Sequence, residues 1–272
     1  THAMSTVSTA GFSTKNASVG HFDSVAIELI LIVTMFVSAI HYGLLFSTLT
    51  GKRNNIFRSE VVKTYLVVLA ASSVLIAVSL RLADVYPTLL SSFRHSLFQV
   101  VSISTTTGFA TTDTNLWTPL AVMILVVLSL TGACAGSTSG GLKFDRLILA
   151  AKSVKARIVQ QQHPNAIVRI KIDGVIQRTD TVSTVMTFIV FYILLILIGV
   201  FVNSLYGIDL TTGFSSAVAC VSNVGPGFGE VGSVCNFSSL PSMVKFTDTL
   251  LMLFGRLEIF GLIQIFLIKW WI

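Results

Sequence analysis

Residues 102–113 read SISTTTGFATTD, a polar stretch without Lys or Arg set between long apolar runs. An earlier stretch, STVSTAGFSTKN (residues 5–16), carries Ser5, Thr9, Gly11, Phe12 and Thr14 in the spacing of Ser102, Thr106, Gly108, Phe109 and Thr111. The polar interruption is therefore a repeated element, and the fold turns on what a repeated Thr-x-Gly-Phe does inside an apolar chain.

Hydrophobic residues make up 53% of the 272 residues and charged residues 11%, where about a quarter charged is usual in soluble domains. With a mean hydropathy of +0.83, this is the composition of an integral membrane protein, with the lipid bilayer as its surroundings. A net charge of +6 would raise nucleic acid as a partner in a soluble protein. Here the placement of charge along the chain matters more, and no nucleic-acid partner is expected. Cys134, Cys220 and Cys235 have no metal-ligand spacing and form no evident disulfide framework; they read as small apolar packing residues. The opening THAMSTVSTAGF has neither a charged n-region nor an apolar h-region and lies already inside a repeated motif, so the chain reads as a fragment.

Apolar stretches of about 20 residues, enough to cross a bilayer, fall near 25–50, 59–82, 180–205 and 242–270. A shorter one, Leu116 to Leu130, runs through TGACAGSTSGG (131–141) into an amphipathic piece from Leu142 to about Val159. The stretches 88–103 and 210–221 are too short to span and too apolar for ordinary loops, and each leads into a glycine-bearing loop. They read as re-entrant half-helices, since non-helical backbone at membrane depth survives only when buried in protein or lining a watery cavity. Lys52, Arg53, Arg58 and Lys63 lie in the 51–63 connection, and Lys143, Arg146, Lys152, Lys155, Arg157, Arg169, Lys171 and Arg178 in the 143–178 connection. By the positive-inside rule both connections are expected in the cytoplasm and the glycine loops outside. The repeating unit is then membrane helix, half-helix, membrane helix. The fold class expected is all-α integral membrane, with the second half of one unit followed by two whole ones.

A half-helix ending at mid-membrane points about half a negative charge at the space beyond it, which favours a cation. A loop returning from there can offer its carbonyls in place of a cation's water shell, and glycine allows the backbone angles and close approach such a loop needs. The hydroxyls of Thr9, Thr106 and Thr107 could coordinate an ion or tie the loop to its half-helix. A single Thr-Thr-Gly-Phe could be a plain polar turn; two echoing copies, each followed by a span, favour an ion filter. The third candidate, SNVGPGFGEVG (222–232), aligns Gly225 with Gly108, Ser222 with Thr105, Asn223 with Thr106, Val224 with Thr107 and Pro226 with Phe109. Its Gly227, Gly229 and Gly232 have G-x-G-x-x-G spacing, but the strand and βαβ unit of a dinucleotide site are missing around them.

TGACAGSTSGG could be a helix contact built on small residues. Placed about 25 residues beyond a filter loop, it reads instead as a segment that plugs the pathway and moves aside. Its G-x-T-x-G (Gly136, Thr138, Gly140) lacks the strand–turn–helix setting of a hydrolase elbow. Arg256 lies deep in the last span with Glu258 two positions on. Such charges face a bundle interior or a water-filled path, so Arg256 is expected to face the pathway as an electrostatic barrier or to anchor the 131–141 loop, and Glu258 to pair with another helix. Asp113 and Glu230 are either cation-attracting or merely solvated acids. His41 and His95, on apolar stretches, read as satisfied structural histidines. A membrane enzyme would need convergent titratable groups, and this reading finds only Arg256 and Glu258 deep in the spans, so no enzyme is expected.

With STAGFST, SISTTTGFATTD, GACAGSTSGGLK, CVSNVGPGFGEVG and GRLEIF in order, the chain resembles the Trk/Ktr/HKT superfamily of potassium transporters over essentially its whole length, most of all its TrkH-type membrane subunits. The resemblance implies membrane helix–pore helix–membrane helix repeats around a pseudo-fourfold ion pore. Residues 1–50 would be the end of repeat two, 51–178 repeat three and 179–272 repeat four. It implies potassium as substrate, with no cofactor in this chain. The filter would comprise Ser8, Thr9, Ala10 and Gly11; Thr105, Thr106, Thr107 and Gly108; and Ser222, Asn223, Val224 and Gly225. The gate would comprise Gly132, Ala133, Cys134, Ala135, Gly136, Ser137, Thr138, Ser139, Gly140 and Gly141, with Arg256. A homodimer, a cytosolic nucleotide-binding regulatory subunit and a bacterial cytoplasmic membrane are also implied. Against the family, the first repeat, its filter glycine, and the outer helix and most of the pore helix of repeat two are absent, so alone the chain is not expected to conduct; Pro226 stands where the other two loops have Phe. A sodium-permeable or cation-coupled symporter of the same superfamily is the alternative.

Overall fold

The computed structural model describes residues 1–51 and 55–257. Lys52, Arg53, Glu258 and the second half of the 242–270 stretch lie outside them. Within the described residues the chain is an all-α membrane protein: α1 His2–Val7, α2 Val25–Ala39, α3 Tyr42–Leu49, α4 Glu60–Leu82, α5 Leu89–Ser104, α6 Pro119–Leu130, α7 Phe144–Gln162, α8 Thr179–Leu205, α9 Leu210–Ser222 and α10 Ser242–Arg256. Among the described residues α4 and α8 are single helices long and apolar enough to cross a bilayer, with hydropathies of 2.2 and 3.0.

Local chemistry sets the boundaries. Ser59, Thr88, Thr118 and Asp209 cap α4, α5, α6 and α9 by accepting backbone N–H bonds in the first turn, and Pro119 begins α6 where its missing N–H costs nothing. The half-helices α5 and α9 each pack against the long helix before them, α4 and α8. Tyr65 of α4, buried and edge-on to Phe144 at 5.2 Å, accepts a 2.9 Å bond from Ser104 at the end of α5. Tyr192 of α8 shares a 2.7 Å bond with Ser222 at the end of α9. A buried tyrosine of the preceding long helix thus holds the C-terminal end of each of these shorter helices.

Two departures from the sequence reading have physical reasons. The apolar run 25–50 is not one straight helix: α2 and α3 meet at 101°. The 131–141 segment crosses the break, where Cys134 N–H bonds the Ala39 carbonyl at 3.2 Å and Tyr42 N–H bonds the Gly136 carbonyl at 3.3 Å. His41, exposed at this corner, caps α3 by accepting from Gly43 N–H at 2.9 Å, a satisfied structural role. The 143–178 connection contains a short hairpin, Lys171–Ile172 paired with Val175–Ile176. Asp173 and Gly174, both at positive φ (48° and 81°), form its turn, the Asp-Gly signature of a two-residue hairpin. Asp173 also accepts from Ser59 Oγ at 2.8 Å and Glu60 N–H at 2.6 Å, docking the hairpin on the start of α4.

Ionisable groups inside the apolar runs are more numerous than expected. Glu28 of α2 is 2% exposed and makes a two-pronged pair with Arg94 of α5, at 2.7 and 2.8 Å. Asp248 of α10 is also 2% exposed and accepts from Ser216 of α9 at 2.8 Å. The sequence reading singled out neither, although each is an acid inside an apolar stretch. Removing Arg94 would leave the buried Glu28 carboxylate without its partner and is expected to destabilise the α2–α5 contact. The cysteines also divide: Cys134 and Cys220 are buried packing residues as expected, whereas Cys235 is exposed.

Candidate ion-coordination site

The three glycine loops leave their helices through the same turn. Thr9, Thr106 and Asn223 stand in the left-handed region at φ 49°, 55° and 55°, each two residues before a positive-φ glycine: Gly11 (69°), Gly108 (78°) and Gly225 (105°). Ahead of each left-handed residue the helix closes alike. Thr9, Thr106 and Asn223 N–H groups bond the carbonyls three back, of Thr6, Ile103 and Cys220, and the next N–H groups, of Ala10, Thr107 and Val224, bond those five back, of Ser5, Ser102 and Ala219. This paired closure is the Schellman arrangement, whose left-handed position is usually glycine or asparagine. Asn223 suits it. Threonine, branched at Cβ, is a true outlier there, and such strain costs about 1–3 kcal/mol and tends to persist at functional sites.

After the turn the backbone carries its carbonyls away from any helix. Among the described residues the carbonyls of Thr9, Ala10 and Gly11, of Thr106, Thr107 and Gly108, and of Asn223, Val224 and Gly225 accept no hydrogen bond. The three hydroxyls singled out in the sequence are engaged with protein: Thr9 Oγ1 donates to the Ser8 carbonyl at 2.8 Å, Thr107 Oγ1 pairs with Thr105 Oγ1 at 2.8 Å, and Thr106 Oγ1 accepts from Gly140 N–H at 2.7 Å. Carbonyl oxygens, not hydroxyls, are what these loops leave free. Behind them Ser102 Oγ donates to the Phe109 carbonyl at 2.7 Å, and Ser215 Oγ links to Phe228 N–H at 2.9 Å and to its carbonyl at 3.1 Å.

The loops lie side by side in chain order. A Cβ on Gly11 would collide with the Thr107 carbonyl oxygen, and one on Gly108 with the Val224 carbonyl oxygen, while Gly225 has nothing within 4 Å. Each of the first two glycines is thus packed on the carbonyl just before the glycine of the next loop. Farther along, Gly20 N–H bonds the Ala110 carbonyl at 3.1 Å, and the Asn115 amide bridges both backbone groups of Gly229 at 2.9 and 3.1 Å. Ser8 and Ala10 are exposed, whereas Thr105, Thr106 and Thr107 are at most 1% exposed. Gly225, at the end of the row, is exposed and Asn223 half-buried.

The 131–141 segment lies under this row. Its ends are joined by Gly132 N–H on the Leu142 carbonyl at 2.7 Å and Phe144 N–H on the Ala133 carbonyl at 3.0 Å. Internally, Ala133 N–H bonds Ser139 Oγ at 3.2 Å, Ser137 Oγ bonds the Cys134 carbonyl at 2.6 Å, and Lys143 Nζ bonds the Ser139 carbonyl. Gly140 is wedged at the loops: a Cβ there would stand 2.5 Å from the Ser222 carbonyl oxygen and 2.9 Å from Asn223 Cβ. Ala135 N–H bonds Asp145, and Gly136 and Gly141 take positive φ at 71° and 68°. Arg256 Nη1 donates to the Thr138 carbonyl at 3.0 Å. Arg256, Lys143 and Arg146 border one cavity of about 270 Å³ beside the segment. Asp113 caps a short turn through Asn115 N–H at 2.9 Å, and Glu230 is an exposed acid near Ser239. His95 stacks on Tyr86 at 5.0 Å and meets Thr111 at 3.3 Å, a satisfied structural role.

The model of a family described as TrkH, cation transport protein, matches residues 1–270. The chain belongs to the TrkH family. Curated relatives are the Trk system potassium uptake proteins TrkH of Halomonas elongata (36% identical) and Escherichia coli K12 (34% identical), each aligned over 99% of this chain and 56% of the relative. The crystal structure of the potassium transporter TrkH from Vibrio parahaemolyticus superposes with a TM-score of 0.90 at 32% identity, covering 98% of this chain and 57% of that one. This TrkH-family chain thus spans about half the length of the relatives it matches.

Proposed function

We propose that this chain supplies three of the four loops of a potassium-selective filter, with residues 131–141 as the gate beneath it, in a potassium uptake protein. The observation that carries the proposal is the row of loops: three helix ends closed by the same left-handed turn, free carbonyls beyond each, and every inner glycine seated on its neighbour's carbonyl. Helix C-terminal dipoles and unbonded carbonyls suit a partly dehydrated cation. Potassium as the cation is supported by the names of the relatives. In this reading the open side of Gly225 faces the remaining loop, Arg256 holds the gate through Thr138, and the protein works in a cytoplasmic membrane. A homodimer with a cytosolic nucleotide-binding regulatory subunit completes the proposal, by family resemblance.

The test is rubidium uptake into potassium-uptake-deficient cells expressing the assembled transporter. Uptake competed by potassium and not by sodium is expected; uptake competed equally by sodium would point to a sodium-permeable protein and overturn the selectivity. Orientation has its own check. Cys235 is exposed on the glycine-loop side while Cys134 and Cys220 are buried, so a membrane-impermeant maleimide should label intact cells, and the label should vanish in Cys235→Ser. Labelling confined to inside-out vesicles would reverse the proposed topology.

A further inference from the structure

We infer that the Thr106 hydroxyl is the latch of the gate: its bond to Gly140 holds residues 131–141 against the second of the three loops, so that opening the gate and freeing the base of that loop are one event. The inference rests on the reading of 131–141 as the gate and assigns the closed state to one named contact.

Three observations converge on Thr106. Its backbone is left-handed at φ 55°, in a turn that glycine or asparagine would make without strain; the threonine side chain therefore needs a reason to be there. That side chain is 1% exposed, and its oxygen accepts from Gly140 N–H at 2.7 Å. The other two left-handed positions point elsewhere: Thr9 Oγ1 turns back to the Ser8 carbonyl, and Asn223 Nδ2 donates to the Met252 carbonyl of α10 at 3.1 Å. Of the three, Thr106 is the one whose side chain hydrogen-bonds the gate segment. The segment is stiffened internally by Ser137, Ser139 and Lys143, so it moves as a unit. At Gly140 it has no room for a side chain against Ser222 and Asn223, which sets its amide at the base of two adjacent loops. Among the described residues the other side-chain hydrogen bond from the segment to a loop helix, Thr138 to the Val7 carbonyl, is long at 3.5 Å. Withdrawal of the segment exchanges the bond between Gly140 N–H and Thr106 for one to water, and the net difference favours the closed position.

The experiment is resting rubidium influx into proteoliposomes carrying the assembled transporter. Thr106→Val keeps the branched shape and removes the oxygen; it should raise resting influx about fivefold, the ratio set by one hydrogen bond of ordinary net strength. Thr106→Gly, which also relieves the left-handed strain, should do the same, and Thr106→Ser should keep the gate closed. In a protein lacking residues 134–140 the Thr106 substitutions should add nothing. Unchanged or reduced resting influx in both Val and Gly variants would overturn the latch, as would an equal rise in the loop-deleted background. If deleting 134–140 does not itself raise influx, the gate reading fails, separately from the latch.

Discussion

Deleting residues 134–140 should raise resting potassium flux at least about tenfold, the change that 1.4 kcal/mol produces. The expectation follows from what the segment touches. It is bonded to Thr106 at 2.7 Å, to Ala39 and Tyr42 across the α2–α3 corner at 3.2 and 3.3 Å, and to Arg256 at 3.0 Å. Each such bond has a net strength of about 1 kcal/mol, so their joint loss exceeds the tenfold threshold. None of them is made within the long helices α4 and α8, so the deletion should spare the framework. Rubidium influx with a matched size-exclusion profile is the measurement. Flux lost from a well-folded protein would make 131–141 a packing element of the α2–α3 corner rather than a gate.

Gly108→Ser should lower the potassium-over-sodium flux ratio about tenfold or more, corresponding to 1.4 kcal/mol of discrimination, without lowering expression. At φ 78° a side chain is already strained, and its Cβ would overlap the Val224 carbonyl oxygen of the next loop. The carbonyl must move, and with it the spacing between two loops on which discrimination between cations of different size depends. Gly11→Ser should act alike through the Thr107 carbonyl. An unchanged flux ratio for Gly108→Ser would remove these loops from the ion path.

The glycine loops were legible in the sequence because a filter-like turn restricts residue type: Thr9/Gly11 and Thr106/Gly108 repeat by identity. The third loop aligned only by its place in the unit. Asn223 is a different side chain with the same backbone angle, and backbone angle is what recurs. The long helices α4 and α8 were legible from uninterrupted hydropathy. The α2–α3 corner was not, because its cause lies about a hundred residues away, where Cys134 and Gly136 supply the hydrogen bonds that a straight helix would make internally. The 171–176 hairpin was readable in its Asp-Gly turn, yet four paired residues carry too little pattern to stand out in a basic connection. Glu28 and Asp248 are acids inside apolar runs that the sequence reading did not single out; their partners Arg94 and Ser216 lie on other helices, which no local pattern reveals. Arg256 was placed near the segment by its position in the span, but its bond to the Thr138 carbonyl depends on the path of a glycine-rich loop that periodicity does not specify.

The central claim is that the carbonyls around Gly11, Gly108 and Gly225 hold the transported cation. Anomalous diffraction from crystals of the assembled transporter grown with rubidium in place of potassium tests it most directly. The account predicts anomalous density on the axis between these three loops, within carbonyl reach of Thr107, Gly108 and Val224, and its loss in Gly108→Ser. Density found only elsewhere, with these carbonyls uncoordinated, would contradict it.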